Sequence, residues 1–167
     1  MKAVAALLLT VACASAPKRP DFLAPTLSPT SREATAVGAP FARTWTAAVD
    51  VFAESNVPIE TIDRSSGLLV PAQNLFLGGR ADTTYADCGQ KLEPLGGAVR
   101  EPMARIAYEY RPIVPRGVRY NVRVNGDSLR STVQVHAFYS NGGACVSKGK
   151  WEAQFEQAIK ARAERAR

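Results

Sequence analysis

The chain has 167 residues, which suits one domain with appendages. At 46% hydrophobic and 22% charged it is not a wholly disordered chain, and a mean hydropathy of -0.12 excludes a bundle of membrane helices. A net charge of +6 and a pI near 9.5 fit anionic partners and a well-solvated surface alike.

Residues 1–12 open with Lys2 and continue as an apolar run from Ala3 to Ala12, short of the roughly 20 residues a bilayer span needs. They read as a secretory signal peptide. Two processing sites compete. Thr10-Val11-Ala12-Cys13 resembles a bacterial lipobox, in which Cys13 becomes the lipidated mature N-terminus, although Thr10 replaces the usual large aliphatic. Ala12-Cys13-Ala14 is an ordinary small-x-small site, which discards Cys13. The first predicts a lipid anchor that holds a folded domain at a membrane surface. The second predicts a soluble periplasmic or secreted protein.

Residues 13–39 place Pro17, Pro20, Pro25 and Pro29 among Ser, Thr and Ala, and no apolar period survives. This predicts a disordered tether, with a single folded domain over 40–167. Pro40 can open a helix. Phe41, Trp45, Ala48, Val49 and Phe52 then make an apolar stripe, and Asn56 and Pro58 supply a left-handed cap and a stop. "VPIETID" and "GLLVPAQNLFL" read as two strands joined by "RSSG", with Gly67 free to take positive φ. Residues 78–103 lose all period and predict a long irregular connection, of the kind that is functional or mobile. Arg80, Asp82, Tyr85 and Asp87 are its candidate binding residues.

"ARIAYEYRPIV" alternates, with Arg105, Glu109 and Arg111 on the polar face. "VRYNVRV" puts Val118, Tyr120, Val122 and Val124 inward, and "LRSTVQVHAFY" returns with Leu129, Ser131, Val133, Val135 and Ala137 inward. A two-residue Asn125-Gly126 turn pairs 122 with 129 and 120 with 131. The last segment predicts a helix with Trp151, Phe155, Ala158 and Ile159 as its stripe and Glu156–Lys160 as an i,i+4 ion pair. Strands apolar on one face and two amphipathic helices predict an α+β two-layer sandwich, an antiparallel sheet of about four strands with both helices on one face.

Either processing route leaves Cys88 and Cys145 as the thiols available for pairing, and an oxidising compartment predicts their disulfide. It closes a loop of about 58 residues, worth on the order of 4 kcal/mol in the chain-entropy treatment. Two cysteines and one histidine, His136, make a poor ligand set, so no metal is expected. No phosphate loop, dinucleotide fingerprint or nucleophile elbow is present, and one histidine gives a Ser-His-Asp triad little support. No cofactor, catalytic residue or small-molecule substrate is expected, and a secreted domain meets little nucleic acid. The open sheet face should carry Arg105, Arg111, Arg119, Arg123 and Arg130, whose forks suit carboxylate and phosphate, against the simpler reading of a solvated face.

The run Trp45 to Phe52, then "VPIETIDRSSGLL", then a late hairpin and a C-terminal helix preceded by "SKGKWE", resembles small envelope lipoprotein domains of the BamC type. The likeness covers roughly residues 40–77 and 117–160 and its motif is loose. It implies a non-catalytic binding or assembly role at the outer membrane, alongside an envelope protein or an anionic wall or lipid component. Ser15, close to Cys13, fits outer-membrane sorting on the same likeness. The cysteine-bearing loop departs from that family's pattern. The alternatives are a cell-wall-acting enzyme using the 78–103 loop and a periplasmic inhibitor.

Overall fold

The computed structural model describes residues 19–28, 32–72, 74–75, 83–94, 108–140 and 145–165. The 1–12 signal, Cys13, Arg80, Asp82 and Arg105 lie outside the described residues. The architecture is α+β, with two helices and antiparallel strand pairings.

The chain enters the fold earlier than its prolines suggest. Strand β1 (Phe22–Leu23) pairs with residues 90–91, and β2 (Thr35–Val37) with residues 131–133. Val37 and Ala39 are buried. The described parts of the 13–39 segment thus dock on the domain. Proline breaks a helical period but permits strands of two or three residues, whose ladder bonds come from a neighbour.

Helix α1 (Phe41–Glu54) follows its stripe, with Trp45, Ala48 and Phe52 buried and Phe41 and Val49 half-buried. The Phe41 N–H, one of the helix's unpaired first-turn donors, meets the Asp127 carbonyl at 2.8 Å. At the other end Asn56 adopts φ 54°. The Val57 N–H donates to the Phe52 carbonyl and the Asn56 N–H to that of Ala53, which closes a Schellman motif.

Strands β3 (Ile59–Asp63) and β4 (Leu68–Pro71) form the expected hairpin. Gly67 turns it at φ 68°, where an added Cβ would lie 2.0 Å from the Val124 carbonyl oxygen. The longer strand expected after Gly67 breaks at Pro71, and β5 (Asn74–Leu75) is a separate piece. Inside the segment expected to be irregular lie β6 (Ala86–Asp87) and β7 (Gln90–Pro94). They are mostly polar, so no apolar alternation marks them. β7 runs between β1 and β8 (Tyr108–Pro112) in a three-stranded sheet of its own.

The long hairpin of β9 (Gly117–Gly126) and β10 (Ser131–Ser140) is the spine of the domain. Its register corrects the expected one: Val122 pairs with Val135, and Tyr120 with Ala137. The turn is 127–130. The Asp127 carboxylate accepts the Leu129 and Arg130 N–H groups at 2.7 and 3.0 Å, an Asx turn that prevails over Asn125-Gly126. Moving the partner of 122 from 129 to 135 is an even shift, so the inward set stays inward. Leu129 is the exception, now 79% exposed in the turn.

Strand β11 (Val146–Ser147) pairs with β6, and helix α2 (Lys150–Arg165) follows. The main sheet runs β2-β10-β9-β4-β3, with β5 also beside β9, so three sheets replace the single sheet of about four strands. Tyr120, on its inner face, contacts Phe52 of α1 and both Trp151 and Phe155 of α2. The α2 stripe needs correction. Ile159 is buried and Trp151 and Phe155 are half-buried, but Ala158 is exposed, while Glu152 and Glu156 turn inward. Lys160 reaches Glu164 at 4.0 Å, not Glu156.

Two carboxylates of α2 hold the N-terminal arm. Glu156 Oε2 accepts from Arg32 Nη2 at 3.0 Å and Thr35 Oγ1 at 2.8 Å, and its Oε1 accepts the Val135 N–H at 2.9 Å. Val135 stands on the β10 edge just beyond the end of β2. The carboxylate therefore takes a donor that a longer β2 would have paired. Glu164 Oε1 accepts the Gly38 N–H at 2.9 Å.

Candidate functional site

The face of the main sheet turned away from the helices is the candidate binding surface. On β9 it presents Arg119, Asn121 and Arg123; on β10 their cross-strand partners are Phe138, His136 and Gln134. Alternation puts them there, because Val118, Tyr120, Val122 and Val124 fill the inner positions. Arg119 and Arg123 are exposed, four residues apart and so about 13 Å along the strand. Among the described residues neither makes an ion pair. Phe138, opposite Arg119, is 56% exposed, so the patch mixes guanidinium, amide, imidazole and aromatic chemistry.

The other expected members of this face stand elsewhere. Arg111 belongs to β8, in the smaller sheet, and pairs with Glu109 at 2.6 Å. Arg130 belongs to the hairpin turn and borders an open hollow shared with Gly38, Asp127 and Lys160. The Asp127 carboxyl is held below its usual range by the Arg130 and Leu129 N–H groups. Alternation continued through a misplaced turn is what put Arg130 on the sheet in the sequence reading.

Of the candidate loop residues, Asp87 and Tyr85 are described. Asp87 is committed to structure. Its Oδ1 accepts the Gly89 N–H at 2.9 Å, and its Oδ2 accepts the Thr26 N–H and hydroxyl at 2.9 and 3.0 Å. The Gly89 bond leads in holding this carboxyl below its usual range, against the opposing effect of burial. Asp87 is thus a clamp on the arm. The Cys88 and Cys145 sulfurs lie 2.11 Å apart, at bonding distance, and join the chain after β6 to the chain before β11. The expected pairing is consistent with this geometry.

Tyr85 leads to a cluster the sequence did not mark. Its ring meets Trp151 edge-on at 5.2 Å, and Trp151 stacks on Tyr120 at 6.1 Å. Tyr120, Tyr139 and Glu152 are all buried here. Ser147 Oγ donates to Glu152 Oε1 and accepts the Gly149 N–H at 3.0 Å. Burial pushes the Tyr120 phenol far up, helped by Tyr139, Glu152 and Tyr85. Burial also raises Tyr139, helped by Glu152 and opposed by Ser147. Among the described residues the Tyr120 hydroxyl, Trp151 Nε1 and Glu152 Oε2 have no hydrogen-bond partner, and the Tyr139 hydroxyl has only the Ser147 side chain beside it. The sequence signal was faint: Glu152 and Glu156 interrupt the inner face of an amphipathic helix.

Among the described residues no group of three or more His, Cys, Asp and Glu side chains is placed to hold a metal, and no helix is long and apolar enough to cross a membrane. No protein-family model and no curated protein matches the chain, so the resemblance to BamC-type domains rests on the residues quoted for it.

Proposed function

We propose that the protein is a non-catalytic binding or assembly module of a bacterial envelope, held at the periplasmic face of the outer membrane through lipid on Cys13. In this reading the domain is an α+β sandwich whose helices cover one face of the main sheet. The other face captures an anionic envelope partner, an acidic protein surface or a wall or lipid component. The observation that carries it is the exposed Arg119–Arg123 pair, free of ion pairs among the described residues and flanked by Asn121, His136 and Phe138. Guanidinium forks left without internal carboxylates suit an external one. The arm fits the same reading, because Thr26, Thr35 and Gly38 are each tied to the domain. A pull on the anchor would therefore reach the sheet edge directly.

Crosslinking in intact cells followed by purification from membranes tests the reading. The partner captured by wild type should be lost or strongly reduced with Arg119→Ser/Arg123→Ser, and wild-type capture should weaken as salt rises. Undiminished capture by the folded double variant would reject the arginine face. Cys13→Ser should move the protein out of the membrane fraction or leave an uncleaved precursor. Unchanged fractionation would reject the anchor.

A further inference from the structure

We propose that the outer edge of β8 is a self-association surface, which a second copy of this chain extends through an antiparallel β8–β8 pair centred on Tyr110. Strand β7 runs between β1 and β8, and among the described residues no strand pairs with β8 on its other side. The ladder fixes which backbone groups face outward. The Leu92 N–H donates to the Asp21 carbonyl at 3.0 Å, toward β1, so Lys91 and Glu93 turn their backbone groups toward β8. Their partners Arg111 and Glu109 bond back to β7, and the Ile113 N–H continues that side at 3.0 Å from the Gly89 carbonyl. Tyr108 and Tyr110 therefore direct N–H and C=O outward, and Pro112, which has no N–H, directs a C=O alone. A row of this kind is a template for another strand.

Charge selects the occupant. The β7–β8 register sets Lys91 against Arg111 and Glu93 against Glu109. Like charges directly opposite one another destabilise a strand pair, so within one chain a positive row lies beside a negative row at some cost. A two-fold axis at Tyr110 puts Glu109 opposite the partner's Arg111 and Arg111 opposite the partner's Glu109. Each positive row then runs on into a negative row, and the same patch serves both copies. Glu109 and Arg111 already bond to one another at 2.6 Å, with side chains 42% and 52% exposed, so both stand at the edge where a partner would meet them.

The same charges specify register. A slip of two residues either way sets Glu109 against the partner's Glu109 or Arg111 against the partner's Arg111. A slip of one turns the charged face of one copy against the tyrosine face of the other. In the favoured register that second face also continues across the axis: Tyr108, 48% exposed, meets the partner's Pro112, and Tyr110 meets the partner's Tyr110.

Sedimentation velocity of the purified protein at concentrations up to about 1 mM, together with amide hydrogen exchange, tests this. The wild type should pass from monomer to dimer as concentration rises, and less so as salt rises. The Tyr108 and Tyr110 amides should gain protection over the same range. Glu109→Arg alone and Arg111→Glu alone should each lose dimerisation, because like charges then face one another across the axis. Mixed in equal amounts, the two variants should regain a dimer, because every charge facing across the axis then meets its opposite. A wild type that stays monomeric would overturn the proposal. So would a dimer that both variants keep, or a mixture of two folded variants that stays monomeric. Should either variant fail to fold, wild-type exchange still decides: Tyr108 and Tyr110 amides indifferent to concentration would overturn the proposal. Both substitutions lie in the smaller sheet, so none of these outcomes bears on the arginine face of the main sheet.

Discussion

Glu152 and Glu156 stand one turn apart on α2, both buried, yet their surroundings differ in kind. Around Glu156 the protein supplies everything: a guanidinium, a hydroxyl and a backbone N–H, drawn from the arm and from the β10 edge. Around Glu152 it supplies one hydroxyl and leaves the second oxygen without a partner among the described residues. A buried charge is tolerable when its bonds are complete and costly when they are not. The contrast separates a carboxylate whose bonds are complete from one whose bonds are half made.

The largest expected effect is at the Glu156 clamp. Glu156→Ala should cost about 3–5 kcal/mol in urea denaturation, because it strands the buried Val135 N–H and takes the carboxylate from Arg32, which keeps only the Gly149 carbonyl among the described residues. A loss below about 1 kcal/mol would mean that the arm does not depend on this carboxylate.

The next effect is alkaline. The Tyr120 and Tyr139 phenols are raised above their ordinary value, so the folded state holds protons that the unfolded chain releases near pH 10. Stability should be intact below that pH and fall progressively above it. Ultraviolet titration should show two tyrosines that ionise only as the protein unfolds. Full ionisation of every tyrosine in the folded state would place the phenols in solvent.

Glu152→Leu should be milder than the clamp variant, within about 1–2 kcal/mol of wild type. It removes a charge whose bonds are half made, and the Ser147 hydroxyl keeps its bond to the Gly149 N–H. A loss equal to that of Glu156→Ala would erase the distinction between the two sites. The smallest stability effect belongs to the exposed face. Arg119→Ser/Arg123→Ser should stay within about 1 kcal/mol, measured in the same denaturation series.

Neither carboxylate's role was legible from sequence, and the reason is distance. Glu156 looks like half of a local pair with Lys160, because the sequence shows the i,i+4 neighbour and hides Arg32 and Thr35, more than a hundred positions away. Elements with internal periodicity were readable: the stripe of α1 and its Asn56 end, and the alternation of β9 and β10. Strands without periodicity were not. β1, β2 and β7 are short or polar and exist because a neighbour pairs with them. The hairpin turn shows competition between two good local signals. Asn125-Gly126 promises a tight turn, but the Asp127 carboxylate organises the next four residues, and Gly126 is left where an added Cβ would come within 2.5 Å of Ser131 Cβ. Of the expected arginine face, Arg119 and Arg123 stand on the sheet as their strand alternation requires, while Arg111 sits in another sheet because β7 captured its strand.

The docked arm is the claim on which the clamp depends, and amide hydrogen exchange under native conditions tests it most directly. Gly38 lies just after β2, so a free arm would leave its amide open to solvent, whereas the Val135 N–H reports on the Glu156 carboxylate of α2. With the Val135 N–H on Glu156 and the Gly38 N–H on Glu164, both should exchange slowly. Val135 should lose its protection in Glu156→Leu, which removes the accepting oxygen, while the amides paired between β9 and β10 keep theirs. Fast exchange at Gly38 in the wild-type protein would contradict the docked arm.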